Sequence, residues 1–291
     1  MTVSQALISA VSSLASANVD TPRLDAQLLL AWVLKARRED LAREPERVLT
    51  ERQQIIFEKA VELRVLRRPL AYITGGAWFY GREFTINRAV LIPRPETEIL
   101  VEEALSRLVG IPTPTIADVC TGSGCIGVTV ALERSDSAVW LTDLCPLALN
   151  VAHKNCVRHK VEDRVQRRLG DLLDPLQAPG RLFDAILSNP PYVRPDAYPT
   201  LQEEVRDYEP KKALVGEFDS VGIDGMELHR RLLTEARTLL KPDGWILLEV
   251  GQGQADDVAL FADKCGYSNV SIIKDLAGVG RVVAGELKCL T

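Results

Sequence analysis

The stretch Ile116-Ala-Asp118-Val-Cys120-Thr121-Gly122-Ser123-Gly124-Cys125-Ile126-Gly127 constrains this chain more than any other. An apolar strand pattern runs into a glycine-rich turn, and an apolar helix pattern follows. Such a turn lets the backbone pass close to a ligand, while the helix start aims its free amides at it. Candidate strands then recur downstream at Val139–Asp143, Val165–Leu169, Ala185–Ser188, Trp245–Val250, Val270–Ile273 and Val282–Ala284, with helical patterns between most of them. With Ile116–Val119 this makes seven. The alternation predicts an α/β fold whose sheet is mostly parallel and covered on both faces.

Upstream the pattern differs. Residues 2 to about 67 read as helices only: Val3, Leu7, Val11 and Leu14 recur at helical spacing, Asp25 to Leu34 is rich in Ala and Leu, and Ile56, Ala60, Leu63 and Leu66 form a third stripe. Pro22, Pro45 and Pro69 punctuate them. From Trp78 to Ile86 aromatic and β-branched residues surround Gly81, which predicts a hairpin. A chain of 291 residues suits one large and one small domain. The expected division is a helical domain over 1–74, a hairpin linker over 75–92 and an α/β domain over 93–291.

Composition narrows the class. With 46% hydrophobic and 26% charged residues the chain resembles ordinary globular proteins rather than disordered or membrane ones. Its longest apolar runs, such as Trp245 to Leu248, suit buried strands and not a membrane span. A formal charge of −5 argues against a surface built to neutralise many phosphates. The Ser-rich N-terminus has no basic residue before Arg23, so it reads as part of the folded protein rather than a transit peptide. Cys120, Cys125, Cys145, Cys156, Cys265 and Cys289 include no C-x-x-C pair and follow no signal peptide. Reduced thiols in a cytoplasmic enzyme are expected, and the spacings do not suit zinc, so no metal is expected. His153 and His159 are six residues apart and share no helix face, so they read as ordinary histidines.

The chemistry is carried by four places. Gly122-x-Gly124-x-x-Gly127 fits a dinucleotide fingerprint, and alone it does not separate NAD from S-adenosylmethionine. Asp143 ends the next strand, where a carboxylate can accept from ribose hydroxyls; a helix N-cap is the plainer role. Asp171 follows the third strand and would lie near an adenine edge. Most telling is Phe183 to Ser188 feeding straight into Asn189-Pro190-Pro191-Tyr192. That places a polar side chain at the carboxyl edge of the sheet, in a loop stiffened by two prolines that leave carbonyl acceptors exposed. A planar NH₂ nucleophile can donate to the Asn189 oxygen and the Pro190 carbonyl, while Tyr192 packs on its flat face and holds it for in-line transfer. This arrangement favours S-adenosylmethionine over NAD, since no hydride-transfer acid is evident. An N6-adenine DNA or RNA methyltransferase is the stronger rival, because adenine offers the same NH₂. The charge and the lack of a long basic domain count against it; Arg164, Arg167 and Arg168 read as a solvated face. Intact Asn189 and Tyr192 argue against a non-catalytic binding module.

Leu91-Ile-Pro-Arg-Pro-Glu96-Thr97-Glu98, the Asp118 to Gly127 turn, Asn189-Pro-Pro-Tyr192-Val193, Glu204-Val205 to Glu209-Pro210 and Ala213-Leu214 follow one another in that order. In this the chain resembles the release-factor glutamine methyltransferase family (HemK/PrmC) over nearly its whole length. The resemblance implies a Rossmann-like class I methyltransferase sheet with an N-terminal helical substrate-recognition domain. It implies N5-methylation of the glutamine in the Gly-Gly-Gln motif of class I peptide chain release factors, with no direct nucleic-acid partner. Asn189, Pro190, Pro191 and Tyr192 would be catalytic. Cys120, Thr121, Gly122, Ser123, Gly124, Asp143, Asp171, Leu172 and Asn189 would hold S-adenosylmethionine. Cys120 stands where the family usually has glycine, and Leu172 where an aromatic residue often follows the acidic one. Ribosomal-protein glutamine methyltransferases share Asn-Pro-Pro-Tyr and are an alternative.

Overall fold

The computed structural model describes residues 1–216 and 220–288; Cys289 lies outside them. The chain divides into two compact units, Met1–Gly76 with Gln202–Tyr208, and Ala77–Leu201 with Glu209–Thr291.

The first unit contains α1 (Val3–Ser16), α2 (Pro22–Leu34), α3 (Arg38–Arg43), α4 (Glu51–Val65) and α5 (Leu70–Thr74). Thr2 and Thr50 open α1 and α4 with reciprocal capping boxes to Gln5 and Gln53, which satisfy amides that a helix start leaves free. The buried stripe of α1 is Val3, Ala6, Ala10 and Leu14. On α4 the core face is Phe57, Ala60, Val61 and Arg64, not the expected Ile56, Ala60, Leu63 and Leu66; Ile56 and Leu66 are exposed. The phase differs because a cation occupies the core. Arg64 Nε donates to Asp25 Oδ2 at 2.6 Å, and its Nη2 to Glu204 Oε1 at 2.9 Å, Glu204 belonging to the returning helix Glu203–Tyr208. Thr21 and the Arg67 guanidinium complete this network on Asp25 and Glu204.

The second unit opens with the hairpin β1 (Gly76–Phe79) and β2 (Arg82–Thr85). Phe79 and Phe84 are buried edge to face, and Phe84 also packs on His159. There follow α6 (Thr97–Arg107), β3 (Thr115–Val119), α7 (Cys125–Glu133), β4 (Ala138–Asp143), α8 (Pro146–Arg158), β5 (Val165–Leu169) and β6 (Phe183–Ser188). After α9, the Glu203–Tyr208 helix of the first unit, come α10 (Lys212–Val215), α11 (Glu227–Glu235), β7 (Leu240–Glu249), α12 (Ala255–Lys264), β8 (Ser268–Lys274) and β9 (Gly280–Leu287). Asn155 on α8 clamps the hairpin, accepting from the Thr85 amide at 2.7 Å and donating to its carbonyl at 3.0 Å. The hairpin expected as a linker thus docks on the α/β layer.

Seven strands form one sheet in the order β5-β4-β3-β6-β7-β9-β8. β5, β4, β3, β6 and β7 run parallel, while β9 is antiparallel to both β7 and β8. Every residue of β6 and all but the first of β3 are buried, as continuous apolar runs in a sheet covered on both faces should be. Among the described residues no helix is long and apolar enough to cross a membrane.

Candidate active site

Strand order reverses beside β3, with β4 and β5 on one side and β6 and β7 on the other. At such a switch point the loops leaving the carboxyl ends of neighbouring strands diverge and open a crevice. Val119 and Ser188 are register partners there, and the Ser188 hydroxyl donates to the Val119 carbonyl at 2.7 Å. The two segments singled out in the sequence, beginning at Cys120 and at Asn189, therefore leave the sheet side by side.

A cavity of about 580 Å³ opens over these strand ends. Of the expected residues, Cys120, Thr121, Gly122, Ser123, Asp143, Asp171, Leu172, Asn189 and Pro191 line it. Gly124, Pro190 and Tyr192 are not in its wall. Gly124 takes the left-handed conformation at the start of α7, against Ala152. Pro190 is buried, and Tyr192 directs its hydroxyl to Glu249 Oε1 at 3.4 Å.

The glycine turn is held from below by Asp118. Its Oδ2 accepts from the Gly127 amide at 2.9 Å and from the Thr121 hydroxyl at 2.5 Å, while Oδ1 is buried with no partner among the described residues. Burial pushes this carboxyl up to about 7 against the pull of those two bonds. Cys120 has φ of 58° and Leu172 has φ of 41°, so both departures from the family pattern occupy left-handed backbone. A Cβ is strained in that conformation, which glycine adopts freely.

Asp143 takes a bracing role. Its Oδ2 accepts from the Gly122 amide at 2.9 Å and its Oδ1 from the Cys145 amide at 2.8 Å, and the residue at the N-cap of α8 is Cys145, not Asp143. Burial raises the Asp143 carboxyl, opposed by these backbone donors. Asp171, expected near an adenine edge, lines the cavity and accepts from Arg231 with one oxygen, Oδ2, at 2.8 Å. The arginines read as a solvated basic face are instead engaged: Arg164 on the Ala131 carbonyl, Arg167 on that of Leu149, and Arg168 stacked over Trp140. The five cysteines among the described residues are free, and burial raises the Cys125 thiol to about 12, so it stays protonated near neutrality.

Several residues of the site were given no role by the sequence reading. Glu209 is buried, accepts from the Ile92 amide at 3.1 Å and pairs with Arg94, which fastens one wall of the cavity. Gln254 donates to the Tyr192 and Asp224 carbonyls at 3.2 and 3.1 Å, and a Cβ on Gly225 would come within 2.4 Å of the Tyr192 carbonyl oxygen. The Asn189 loop is thus packed from behind by backbone and by one amide. Glu249 and Thr97 are both buried behind Asn189, whose Nδ2 donates to Thr97 Oγ1 at 3.3 Å. A carboxylate closing the apolar run Trp245 to Leu248 was the one visible signal for Glu249.

A seven-stranded sheet with one antiparallel strand next to its edge, a glycine turn and an Asn-Pro-Pro-Tyr loop meeting at its switch point define an α/β methyltransferase. Residues 5–75 match the family described as PrmC N-terminal domain, and residues 95–206 the Methyltransferase small domain. A release factor glutamine methyltransferase of Koribacter versatilis is 41% identical over 287 residues, 98% of this chain and 99% of that protein. One of Clostridium acetobutylicum is 38% identical over 283 residues, 97% and 98% of the two chains. A methyltransferase structure from Pyrococcus furiosus shares the fold, with a TM-score of 0.54 at 18% identity over 78% of this chain and 98% of that one. The chain belongs to the release factor glutamine methyltransferase family.

Proposed function

We propose that this enzyme transfers a methyl group from S-adenosylmethionine to the side-chain nitrogen of the glutamine in the Gly-Gly-Gln motif of class I peptide chain release factors. The observation that carries the reading is that Asn189 lines the same cavity as the glycine turn and Asp143. The cavity fits the cofactor in character: acidic Asp143 and Asp171 suit hydroxyl and amine donors, and Leu144, Leu147 and Leu172 suit a flat base. Cys120 to Gly124, Asp143, Asp171 and Leu172 would hold it, and it would supply an electrophilic methyl group. The chain's own part is positioning. Asn189 Oδ1 and the Pro190 carbonyl accept from the amide NH₂, and the two prolines keep those acceptors fixed without competing donors. The helical unit would add the wider protein surface that selects one glutamine among many. A release factor as substrate goes with a cytoplasmic site of action, and the net charge of −5 supports a protein rather than a nucleic-acid partner.

Two measurements test this. S-adenosylhomocysteine should raise the melting temperature by mass action and NAD should not. Incubating a purified class I release factor with labelled S-adenosylmethionine should place one methyl group on that glutamine, located by mass spectrometry. Label in DNA or RNA with none in the factor would sink the reading, and label in a ribosomal protein alone would move it to that substrate.

A further inference from the structure

An asparagine amide has two ends of nearly equal shape and opposite hydrogen-bonding sense. To accept from an NH₂ nucleophile Asn189 must present Oδ1; turned over, it would present two donors to a donor. Nothing in the shape of the side chain decides this. Its neighbour Thr97 cannot decide it alone either, because a hydroxyl both donates and accepts.

Behind Thr97 stands Glu249, the last residue of β7, facing Thr97 and Tyr192. Both Glu249 and Thr97 are about as buried as the strand cores, and Glu249 Oε2 has no hydrogen-bond partner among the described residues. Resting on the function proposed above, we infer that Glu249 is a positioning residue that fixes, through Thr97, which end of the Asn189 amide faces the substrate. An ionised carboxylate only accepts. The Thr97 hydrogen is therefore drawn to Glu249, which leaves the Thr97 oxygen with lone pairs alone to offer Asn189. Asn189 must answer with Nδ2, the bond seen at 3.3 Å, and its Oδ1 is left to the cavity it lines. Tyr192 donates to Oε1 of the same carboxylate at 3.4 Å. One buried charge thus orders both polar side chains of the Asn189 to Tyr192 loop. Burial raises the Glu249 carboxyl to about 7, while Thr97 and Tyr192 hold it down, Glu96 repels and Arg281 attracts it. A fold gains nothing from burying such a carboxylate in an apolar strand end when a leucine would pack there.

The test compares Thr97→Val, Thr97→Ser and Glu249→Gln on a release factor, with the wild-type enzyme alongside. Thr97→Val keeps the shape and removes the relay; Glu249→Gln keeps the volume and lets the amide donate as well as accept. Each should lower kcat on the order of 10²-fold, the effect of a misplaced reacting group. KM for the factor and the thermal shift with S-adenosylhomocysteine should change little. Thr97→Ser should recover most of the turnover lost in Thr97→Val, and the double variant should be scarcely slower than either single one, because both cut one chain of bonds. A merely structural role predicts instead a lower melting temperature with kcat per folded enzyme retained. Near-normal kcat in Glu249→Gln or in a folded Thr97→Val, or equal losses in Thr97→Val and Thr97→Ser, would overturn the inference. If the wild-type enzyme labels a different acceptor, the substrate assignment fails, and the same variants compared on that acceptor decide the relay separately.

Discussion

The Gly127 amide donates to Oδ2 of Asp118 at 2.9 Å, so the carboxyl end of β3 and the first turn of α7 are tied by one buried carboxylate. The approach is possible only without a side chain. A Cβ on Gly127 would lie 2.3 Å from Leu141 Cδ2, 3.0 Å from Asp118 Oδ2 and 3.1 Å from Asp118 Cβ. Of the three glycines in the fingerprint this one serves helix–strand packing, while the left-handed Gly122 and Gly124 serve the turn.

Gly127→Ala should therefore destabilise the second unit by about 1–3 kcal/mol, the cost of overpacking, since Leu141 is fully buried and has no room to yield. Urea denaturation followed by tryptophan fluorescence reads the change. An unchanged midpoint would mean that the helix slides on the sheet at no cost.

Asn189→Ala tests the nucleophile-binding end of the cavity. As the amide nitrogen loses conjugation in the transition state, its N–H groups become better donors and the Asn189 oxygen matters more than in the ground state. Turnover should fall on the order of 10²–10³-fold, comparable to losing one preorganised polar contact. Binding of S-adenosylhomocysteine, measured by calorimetry, should survive, because the glycine turn and Asp143 are untouched. A variant with near-normal turnover would remove Asn189 from the reaction.

In the first unit, Arg64→Met leaves Asp25 without a cationic partner, with only the Thr21 hydroxyl, and Glu204 with Arg67 alone, in a buried setting; the two side chains are 8% and 22% exposed. Losing one member of such a network costs about 3–5 kcal/mol, most of it the stranded charge. Replacing both, Arg64→Met with Asp25→Leu, should recover much of that loss. Thermal melts of the three proteins check the order, and a double variant worse than Arg64→Met would contradict the stranded-charge explanation.

The same arginine shows what a sequence conceals. Apolar runs announced the inner strands such as β3 and β6, because a strand covered on both faces leaves no room for polar alternation, while the edge strands β5 and β8 are more polar and were placed by their spacing in the alternation of strands and helices. The helix α4 was misphased because its core position Arg64 is polar and its exposed Ile56 and Leu66 are apolar. The return of Gln202–Tyr208 to the first unit left no mark at all: it rests on Glu204 meeting Arg64 across 140 residues, and such pairs have no period. The lining of the cavity was legible where a residue ends a strand or makes a turn, as with Cys120, Asp143, Asp171 and Asn189. Residues that act from behind were not. Thr97, Glu209, His229 and Gln254 are single polar residues whose partners come from distant loops and strand ends, and only the folded sheet brings them together.

His229 supplies the last prediction. It is fully buried on α11, its Nε2 meets the Glu249 carbonyl at 2.8 Å, and its Nδ1 has no hydrogen-bond partner among the described residues. A carbonyl only accepts, so Nε2 carries the hydrogen, and the neutral ring is the form with none on Nδ1. Burial lowers its pKa from 6.5 to about 4, outweighing the carbonyl that favours the cation. Between these values the unfolded chain binds a proton that the folded one refuses, so stability from this group is complete above pH 6.5 and is lost as pH falls toward 4. Glu249 and Asp118 act in the opposite sense: both are raised to about 7, so their contribution declines as pH rises from the ordinary carboxylate range to neutrality. The wild-type profile between pH 4 and 7 is the difference of these opposed slopes. His229→Gln keeps a donor for the Glu249 carbonyl and removes only the histidine slope. Its stability relative to wild type should then improve steadily from pH 7 to pH 4, by roughly 2–3 kcal/mol in all. Urea midpoints across that range measure it. Wild-type and variant curves that stay parallel throughout would mean that His229 takes up its proton in the folded state as readily as in the unfolded one.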